Sequence, residues 1–155
     1  MKYAIQIMPS GEIAIHKFED YHTINSLVDG WYETCGRFVV KDKMLMIFCN
    51  EEFLFCDNMA FNAVASALAN QPIYGNIVLL EYGYNEEGER DSIPLCEKDA
   101  MGIKVAMDNF KKAYKTMLAK LTLRYANDKP KPVAKIVTLT EEEFSEVLFS
   151  NETDD

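Results

Sequence analysis

Residues 3–15 read YAIQIMPSGEIAI, and this stretch decides the fold. Large apolar residues alternate with small or polar ones on both sides of a Pro-Ser-Gly turn, which predicts two half-buried strands joined as a β-hairpin. The same alternation lacks the continuous apolar run of a secretion signal. No stretch of the 155 residues approaches the roughly 20 apolar residues of a membrane helix. We therefore expect one domain that stays in the cytoplasm, with no membrane contact.

Further segments with strand or helix patterns follow the hairpin. The apolar run from Met44 to Cys49 is continuous, which is typical of a strand buried on both faces. Thr23 and Gly30 are suited to begin and end a short helix. The predicted order is a helix over 23–29, strands over 31–40, 44–49 and 53–55, a helix from 57 or 58 to about 69, and a last strand over 77–84.

A long amphipathic helix is predicted over residues 97–125, with Gly102 near its start as the place for a kink or a late beginning. Six large apolar residues recur there at spacings of three and four, the pattern of a helix that packs along one side. They are Ile103, Met107, Phe110, Tyr114, Met117 and Leu121. A strand and a short helix follow over 133–149, where Thr140 and Glu143 form a capping box, and residues 150–155 form an acidic tail.

These patterns together predict an α+β fold in a single compact domain. Its main part, over residues 1–100, is a mostly antiparallel β-sheet with short helices. The long C-terminal helix over 97–125 packs on this sheet, and a final strand and short helix complete the fold.

Charge is unevenly distributed along the chain, whose net charge is −9. Residues 1–103 carry 16 acidic and 7 basic side chains, whereas residues 104–135 carry 9 basic and 2 acidic ones. Residues 136–155 carry 7 acidic side chains and no basic one. Such segregation says more about binding partners than the total charge does.

The cysteines and histidines show no recognisable metal or catalytic pattern. The four cysteines, at positions 35, 49, 56 and 96, form no C-x-x-C pair, so we expect small buried side chains in a reducing compartment. Phosphate-binding glycine loops and the G-x-S-x-G elbow are absent from the sequence. A dyad of Cys35 with a histidine has no support from spacing. We expect no metal, no cofactor and no enzyme activity, with a catalytic site built from scattered residues as the alternative.

Basic residues of the long helix lie outside its apolar stripe. Ammonium and guanidinium groups suit anions, so these residues are candidate ligands for the phosphates of a nucleotide or of nucleic acid. The candidates are Lys104, Lys111, Lys112, Lys115 and Arg124. Two other interpretations stand beside this one. The stripe packs on the chain's own sheet and leaves a solvated lysine face, or the stripe joins two copies of the chain as a homodimer.

Several short segments occur in a recognisable order. They are PSGEI at 9–13, TINSLVDGWYE at 23–33, FCNEE at 48–52, NAVA at 62–65 with QPIYGNIVL at 71–79, and NEEGE at 85–89. In this order, over residues 1–100, they resemble the DUF3846 family. Asp29 stands where that family usually has glycine, and Asn76 where it usually has aspartate. The resemblance implies a gene on a phage, plasmid or integrative element, and it implies no catalytic residues.

The leading hypothesis is a non-enzymatic accessory protein of a phage or mobile element that acts by binding in the bacterial host cytoplasm. On the genetic context that the resemblance implies, we expect it to inhibit host defence, by engaging a host protein or by sequestering a nucleotide second messenger. The acidic remainder of the chain supports an alternative, a DNA mimic that occupies a DNA-binding protein or a regulator that associates with nucleic acid.

Overall fold

The computed structural model describes residues 1–53 and 58–125, and this part of the chain forms six strands and four helices. The strands are β1 (Tyr3–Ile7), β2 (Ile13–Lys17), β3 (Tyr32–Val40), β4 (Lys43–Asn50), β5 (Ile77–Tyr84) and β6 (Arg90–Ile93). The helices are α1 (His22–Val28), α2 (Ala63–Ala69), α3 (Glu97–Ala113) and α4 (Lys115–Tyr125).

The strands form one sheet in the order β2-β1-β5-β4-β3, and every neighbouring pair is antiparallel. Residues 77–79 of β5 pair with β1, and residues 81–84 pair with β6 on the same edge. Two backbone hydrogen bonds of 2.8 Å between Tyr3 and Leu95 join β1 to the segment after β6. The predicted α+β fold with a mostly antiparallel sheet is therefore confirmed.

Helices cover both faces of the sheet. On one face, α1 buries Ile24 and Val28 against Phe48 and Val78. On the other face, α2, α3 and α4 close a larger core, to which alternate residues of the same strands contribute. Strand residues in the larger core include Ile5, Ile7, Leu45, Ile47, Ile77 and Leu79. Because successive side chains of a strand point to opposite faces, the alternation in the sequence assigns each residue to one core.

The predicted hairpin and the predicted buried strand are both present. β1 and β2 pair around the Pro9 turn, and β4 lies between β5 and β3 with Leu45 fully buried. The pairing of β3 with β4 shifts register at Gly36. A Cβ atom on Gly36 would lie 3.3 Å from the Cβ of Ala69, so the absence of a side chain there lets α2 approach the strand closely.

The first short helix differs slightly from the prediction. The helix begins at His22, and the hydroxyl of Thr23 accepts a hydrogen bond from the Glu19 N–H at 3.3 Å instead of capping the helix. At the other end, Asp29 rather than Gly30 takes the left-handed conformation, with φ of 61°. Glycine has the lowest cost in that conformation and aspartate tolerates it, so the geometry accounts for a glycine or an aspartate at position 29.

The second short helix begins later than predicted. The expected start near residue 57 or 58 is wrong, because Phe61 is extended and pairs with Tyr74 in an isolated bridge. Asn62 caps the helix instead, and its side-chain oxygen accepts a hydrogen bond from the Ala65 N–H at 3.0 Å. The cap is recognisable only once the bridge beside it has formed.

The sequence does not predict β6, because its last predicted strand in this region is 77–84. The segment Arg-Asp-Ser-Ile has no clear alternation of apolar residues. It forms a strand because β5 extends beyond β1 and offers four further residues for pairing. A polar turn at 85–88 joins the two strands.

The single long helix of the prediction is two helices. Tyr114, with φ of −111° and ψ of 26°, separates α3 from α4. Gly102 lies inside α3, so a late start of the helix at that residue is wrong. α3 packs across β1 and β2, whereas α4 packs on α2. The break therefore redirects the chain from the sheet to the neighbouring helix.

Several predicted segments lie outside the described residues. They are most of the strand over 53–55, the strand and helix over 133–149 and the acidic tail over 150–155. Phe53 itself has a 3₁₀ conformation rather than that of a strand. Among the described cysteines, Cys49 is buried and Cys35 is half-buried, but Cys96 is exposed, contrary to expectation. Cys96 immediately precedes α3, where it lies outside both cores.

Candidate ligand-binding site

Two of the five basic candidates line one groove. Lys111 near the end of α3 and Lys115 at the start of α4 lie on the same cavity, which has a volume of about 200 Å³. We call it the cationic groove. Its remaining walls come from the turn between β1 and β2, from the start of α2 and from α4. The residues of these walls are Pro9, Ser10, Gly11, Ala63, Val64, Leu118, Ala119 and Thr122.

The other three basic candidates lie elsewhere. Lys104 forms an ion pair of 3.1 Å with Asp108, four residues along the same helix. The guanidinium of Arg124 lies 5.2 Å from the centre of the Tyr125 ring. Lys112 is exposed and does not line the groove. The structure therefore separates the predicted basic group into one pair that shares a cavity and three residues that do not.

The turn between β1 and β2 shapes one wall of the cationic groove. The Gly11 N–H donates to the Met8 carbonyl at 2.8 Å, and Gly11 has φ of 89°, a conformation that favours glycine. A Cβ atom at this position would lie 3.4 Å from Cε of Lys111. The aliphatic part of Lys111 thus lies across the glycine. Any side chain at position 11 would press on it.

The electrostatics of the cationic groove are one-sided. None of the described residues that line it carries a carboxylate. The nearest recorded acid is Asp108, whose carboxylate lies 4.0 Å from the Lys111 ammonium and also pairs with Lys104. Asp108 therefore screens Lys111 partly, and the groove offers two positive charges to an anion.

The apolar stripe is used within the chain. Ile103, Met107 and Phe110 are at most 1% exposed and pack in the larger core. Leu121 is 8% exposed in the same core, and Tyr114 and Met117 pack against it at its edge. These residues hold α3 and α4 on the sheet and on α2, which places Lys111 and Lys115 over the turn.

Two buried amides fasten the loops at this end of the sheet. The Asn62 side chain donates to the carbonyl of Ile7 at 3.0 Å and to that of Gly75 at 2.9 Å. The Asn50 side chain donates to the carbonyls of Val28 and Asp29, both at 3.2 Å. Buried amides of this kind stabilise a structure only when their partners are in place. They fix the end of β1, the end of α1 and the loop before β5 beside one another.

A second cavity lies on the other side of Pro9. It has a volume of about 460 Å³, and sequence reasoning did not single it out. Its lining residues are Pro9, Asp29, Asn58, Met59, Ala60, Gly75 and Asn76. They come from four loop segments, two of which are fixed by side-chain hydrogen bonds: Asn50 donates to the Asp29 carbonyl and Asn62 to the Gly75 carbonyl. In a sequence, residues of this kind indicate only ordinary turns, so they do not predict a cavity.

Cys35 and His16 each have another partner among the described residues. The Cys35 thiol donates to the Ile47 carbonyl at 3.7 Å. A hydrogen bond with Cys49, together with burial, holds the pKa of the Cys35 thiol well above its usual value. A reactive thiol needs the opposite shift, because the thiolate is the nucleophile. The Nε2 atom of His16 forms a hydrogen bond of 2.8 Å with the Gln6 side-chain oxygen.

The chain matches the model of one known protein family. The model of DUF3846, a domain of unknown function, matches residues 1–104. The chain belongs to the DUF3846 family. No curated protein and no solved structure matches the chain. The predicted family is therefore confirmed over its whole predicted range.

The DUF3846 match divides the cationic groove. The turn at Pro9 and the start of α2 lie inside the matched range, whereas Lys111, Lys115 and all of α4 lie beyond it. Within residues 1–53 and 58–125, no three His, Cys, Asp or Glu side chains are arranged to hold a metal ion. No helix in this part of the chain is both long and apolar enough to cross a membrane.

Proposed function

We propose that this DUF3846 protein acts by binding, and that its ligand is a nucleotide whose phosphate end enters the cationic groove. The observation that carries the proposal is the meeting of Lys111 and Lys115 over the turn at Gly11, in a groove without a carboxylate among its described walls. Lysine ammonium groups bind phosphate oxygens as point charges.

The size of the groove supports a phosphate rather than a whole ligand. Its 200 Å³ is below the roughly 300–1,000 Å³ of pockets that enclose a drug-sized molecule. The groove therefore takes the phosphate end, and the rest of the nucleotide extends along the surface. Ser10 at its edge accepts a hydrogen bond from the Glu12 N–H at 3.3 Å, which leaves its hydroxyl proton for a phosphate oxygen.

The cellular role that we propose follows from the genetic context of the DUF3846 resemblance. On a phage or mobile element, a small protein that captures a nucleotide in the bacterial cytoplasm would lower the concentration of a host signal and so inhibit host defence. Engagement of a host protein is the second route to the same effect. The segregated charge of the chain supports either kind of partner.

The binding is tested by native mass spectrometry and calorimetry with a panel of cyclic and linear nucleotides, and with inorganic phosphate. We expect one nucleotide per chain, bound more tightly than phosphate alone. In the double variant Lys111→Gln/Lys115→Gln, the affinity should fall at least about tenfold, because hydrogen bonds from charged groups are lost.

The matched control is Lys112→Gln/Lys120→Gln, which removes the same charge from exposed positions that do not line the groove. It should bind as the parent protein does. If no nucleotide binds, or if the two double variants weaken binding equally, the groove is not the ligand site.

A further inference from the structure

Among residues 1–53 and 58–125, the face of the sheet that α1 covers has an uncovered half. α1 packs over Val78 and Leu80 in β5. Its cover ends near Tyr21, whose hydroxyl donates to the Ser92 carbonyl at 2.7 Å. Beyond that point β5 continues to Tyr84, which is 65% exposed. The second half of β5 and the strands beside it thus present an open surface.

Two tyrosines and two arginines occupy this open surface. Tyr82 and Tyr84 alternate with Gly83 on β5, so both rings point to the same face. The guanidinium of Arg90 lies 4.7 Å from the centre of the Tyr82 ring and 5.3 Å from that of Tyr84. The guanidinium of Arg37 lies 5.9 Å from the Tyr82 ring. We call these four residues the tyrosine–arginine face.

The pairing of the strands explains why the four residues meet. Tyr84 in β5 pairs with Arg90 in β6, and Arg37 in β3 pairs with Met46 in β4. The two side chains of each pair point to the same face of the sheet. An Arg90 nitrogen also lies 3.7 Å from the Met44 sulfur. The register of the strands therefore sets which side chains share this face.

Charge is sorted between the two faces of the sheet. The described strands contain three carboxylates, those of Glu33, Glu81 and Asp91. Glu33 and Glu81 pair with Cys49 and Leu45, whose side chains lie in the larger core on the opposite face. Asp91 pairs with Gly83, and burial together with the charge of Asp91 raises the pKa of Tyr21 at the border of the open surface. Two of the three strand carboxylates are thus directed away from the arginines of this face.

We propose that the tyrosine–arginine face binds single-stranded DNA. Bases stack on aromatic rings and on guanidinium planes, and arginines neutralise the phosphates between them. Two tyrosines two residues apart on a strand lie about 7 Å from each other, which suits two or three successive bases. Stacking of bases and neutralisation of phosphates do not require a 2′-hydroxyl, so single-stranded DNA suffices as the occupant of this face. This surface is separate from the cationic groove, and the proposal does not depend on it.

The test is fluorescence anisotropy of a labelled thymidine decamer with the full chain in 50 mM salt. Tyr84→Ala should weaken binding about tenfold because a stacking ring is lost, whereas Tyr84→Phe should retain it. Arg90→Gln should weaken it as well. Neutralisation of two phosphates predicts an affinity about sevenfold lower in 200 mM salt than in 50 mM salt.

Three controls keep the test specific. Trp31→Ala removes an aromatic residue that is 67% exposed outside the face, and Lys17→Gln removes an exposed strand cation on the other side of the sheet. Both should leave DNA binding unchanged. The variant Lys111→Gln/Lys115→Gln should also bind the decamer normally. Loss of binding in that variant would move the DNA to the cationic groove and overturn the proposal.

Other outcomes also overturn it. These are no binding of the decamer, equal binding by Tyr84→Ala and the parent, binding of a DNA duplex as tight as that of the single strand, or tighter binding of a uridine decamer. Tyr84 is largely exposed, so Tyr84→Ala should fold, and its circular dichroism spectrum should match that of the parent.

Discussion

Lysines lie beside a groove at both ends of α3, but their surroundings differ. At the N-terminal end, Lys43 lies 3.2 Å from Asp99 and 3.4 Å from Glu81, next to a cavity of about 300 Å³. At the C-terminal end, Lys111 and Lys115 line the cationic groove, where the nearest recorded acid is 4.0 Å away. The position of the carboxylates, not the number of lysines, distinguishes an internal ion pair from a site for an external anion.

The ion pair at the N-terminal end also shifts the pKa values of its members. Burial lowers the pKa of Lys43, but the hydrogen bond and charge of Asp99 and the charge of Glu81 raise it above its ordinary value overall. Burial raises the pKa of the Asp99 carboxyl, but hydrogen bonds from Cys96 and Lys43 lower it overall. The charges of Lys43, Asp99 and Glu81 neutralise one another, so less charge is available to attract a ligand.

The largest expected effect comes from the core beneath the C-terminal end of α3. Phe110→Ala should lower the free energy of unfolding by about 3–5 kcal/mol, because its side chain is fully buried under α3. Urea unfolding measures this loss. Val105→Ala, on the same helix but 54% exposed, should change stability by less than about 0.5 kcal/mol. Similar values for the two variants would mean that the C-terminal end of α3 is not part of the core.

An intermediate effect is expected from the turn at the C-terminal end. Gly11→Ala should cost about 1–2 kcal/mol of stability, because its φ of 89° is strained for alanine. Gly88→Ala is the matched control, since Gly88 has φ of 76° and open space around its Cβ position. Thermal or urea unfolding should show similar losses for both. Only Gly11→Ala should weaken nucleotide binding, because only there does the new methyl group press on Lys111. Equal nucleotide affinities would show that the turn does not shape the groove.

The smallest expected effect concerns the ion pair at the N-terminal end. Lys43→Met should lower the free energy of unfolding by at most about 1 kcal/mol at pH 7, because the side chains of Lys43 and Asp99 are each 30% exposed. Asp99 has a lowered pKa in the folded state. The contribution of Asp99 to the free energy of unfolding is therefore fully present at a pH above the ordinary aspartate pKa of about 3.9. It is lost as the pH falls through the pKa of the folded state.

Urea unfolding at pH 7 and at pH 2.5 should consequently show that the difference between the parent and Lys43→Met shrinks in acid. Lys115→Met is the control from the other end, and its small effect should not depend on pH in this range, since no carboxylate lines its groove. The same pH dependence in both variants would contradict the comparison of the two ends.

Local periodicity was sufficient for much of the fold. The hairpin around Pro9, the buried strand that contains Leu45 and the stripe that contains Met107 were all predicted, because strand and helix repeats show directly which residues face a core. The family could also be predicted, because its segments are short local patterns in a fixed order. The two lysines of the groove were named, but within a larger group of basic residues.

Long-range contacts decided the remaining features. The bridge of Phe61 with Tyr74 moved the start of α2, the free edge of β5 made a strand of residues 90–93, and the break at Tyr114 followed the change of packing partner from the sheet to α2. Phe61 and Tyr74, and likewise Tyr114 and α2, are distant in sequence, so no window of neighbouring residues contains this information. β6 follows β5 closely, but its residues lack the alternation that predicts a strand.

The sequence by itself determined which residues alternate, which helix is amphipathic and where positive charge is concentrated, because these depend only on spacing along the chain. The tertiary structure alone decided that Lys111 and Lys115 meet the turn at Gly11 while Lys104 is paired with Asp108. It likewise decided that two tyrosines and two arginines share an open face. Sites form where distant segments are packed together, and that packing is a property of the whole fold.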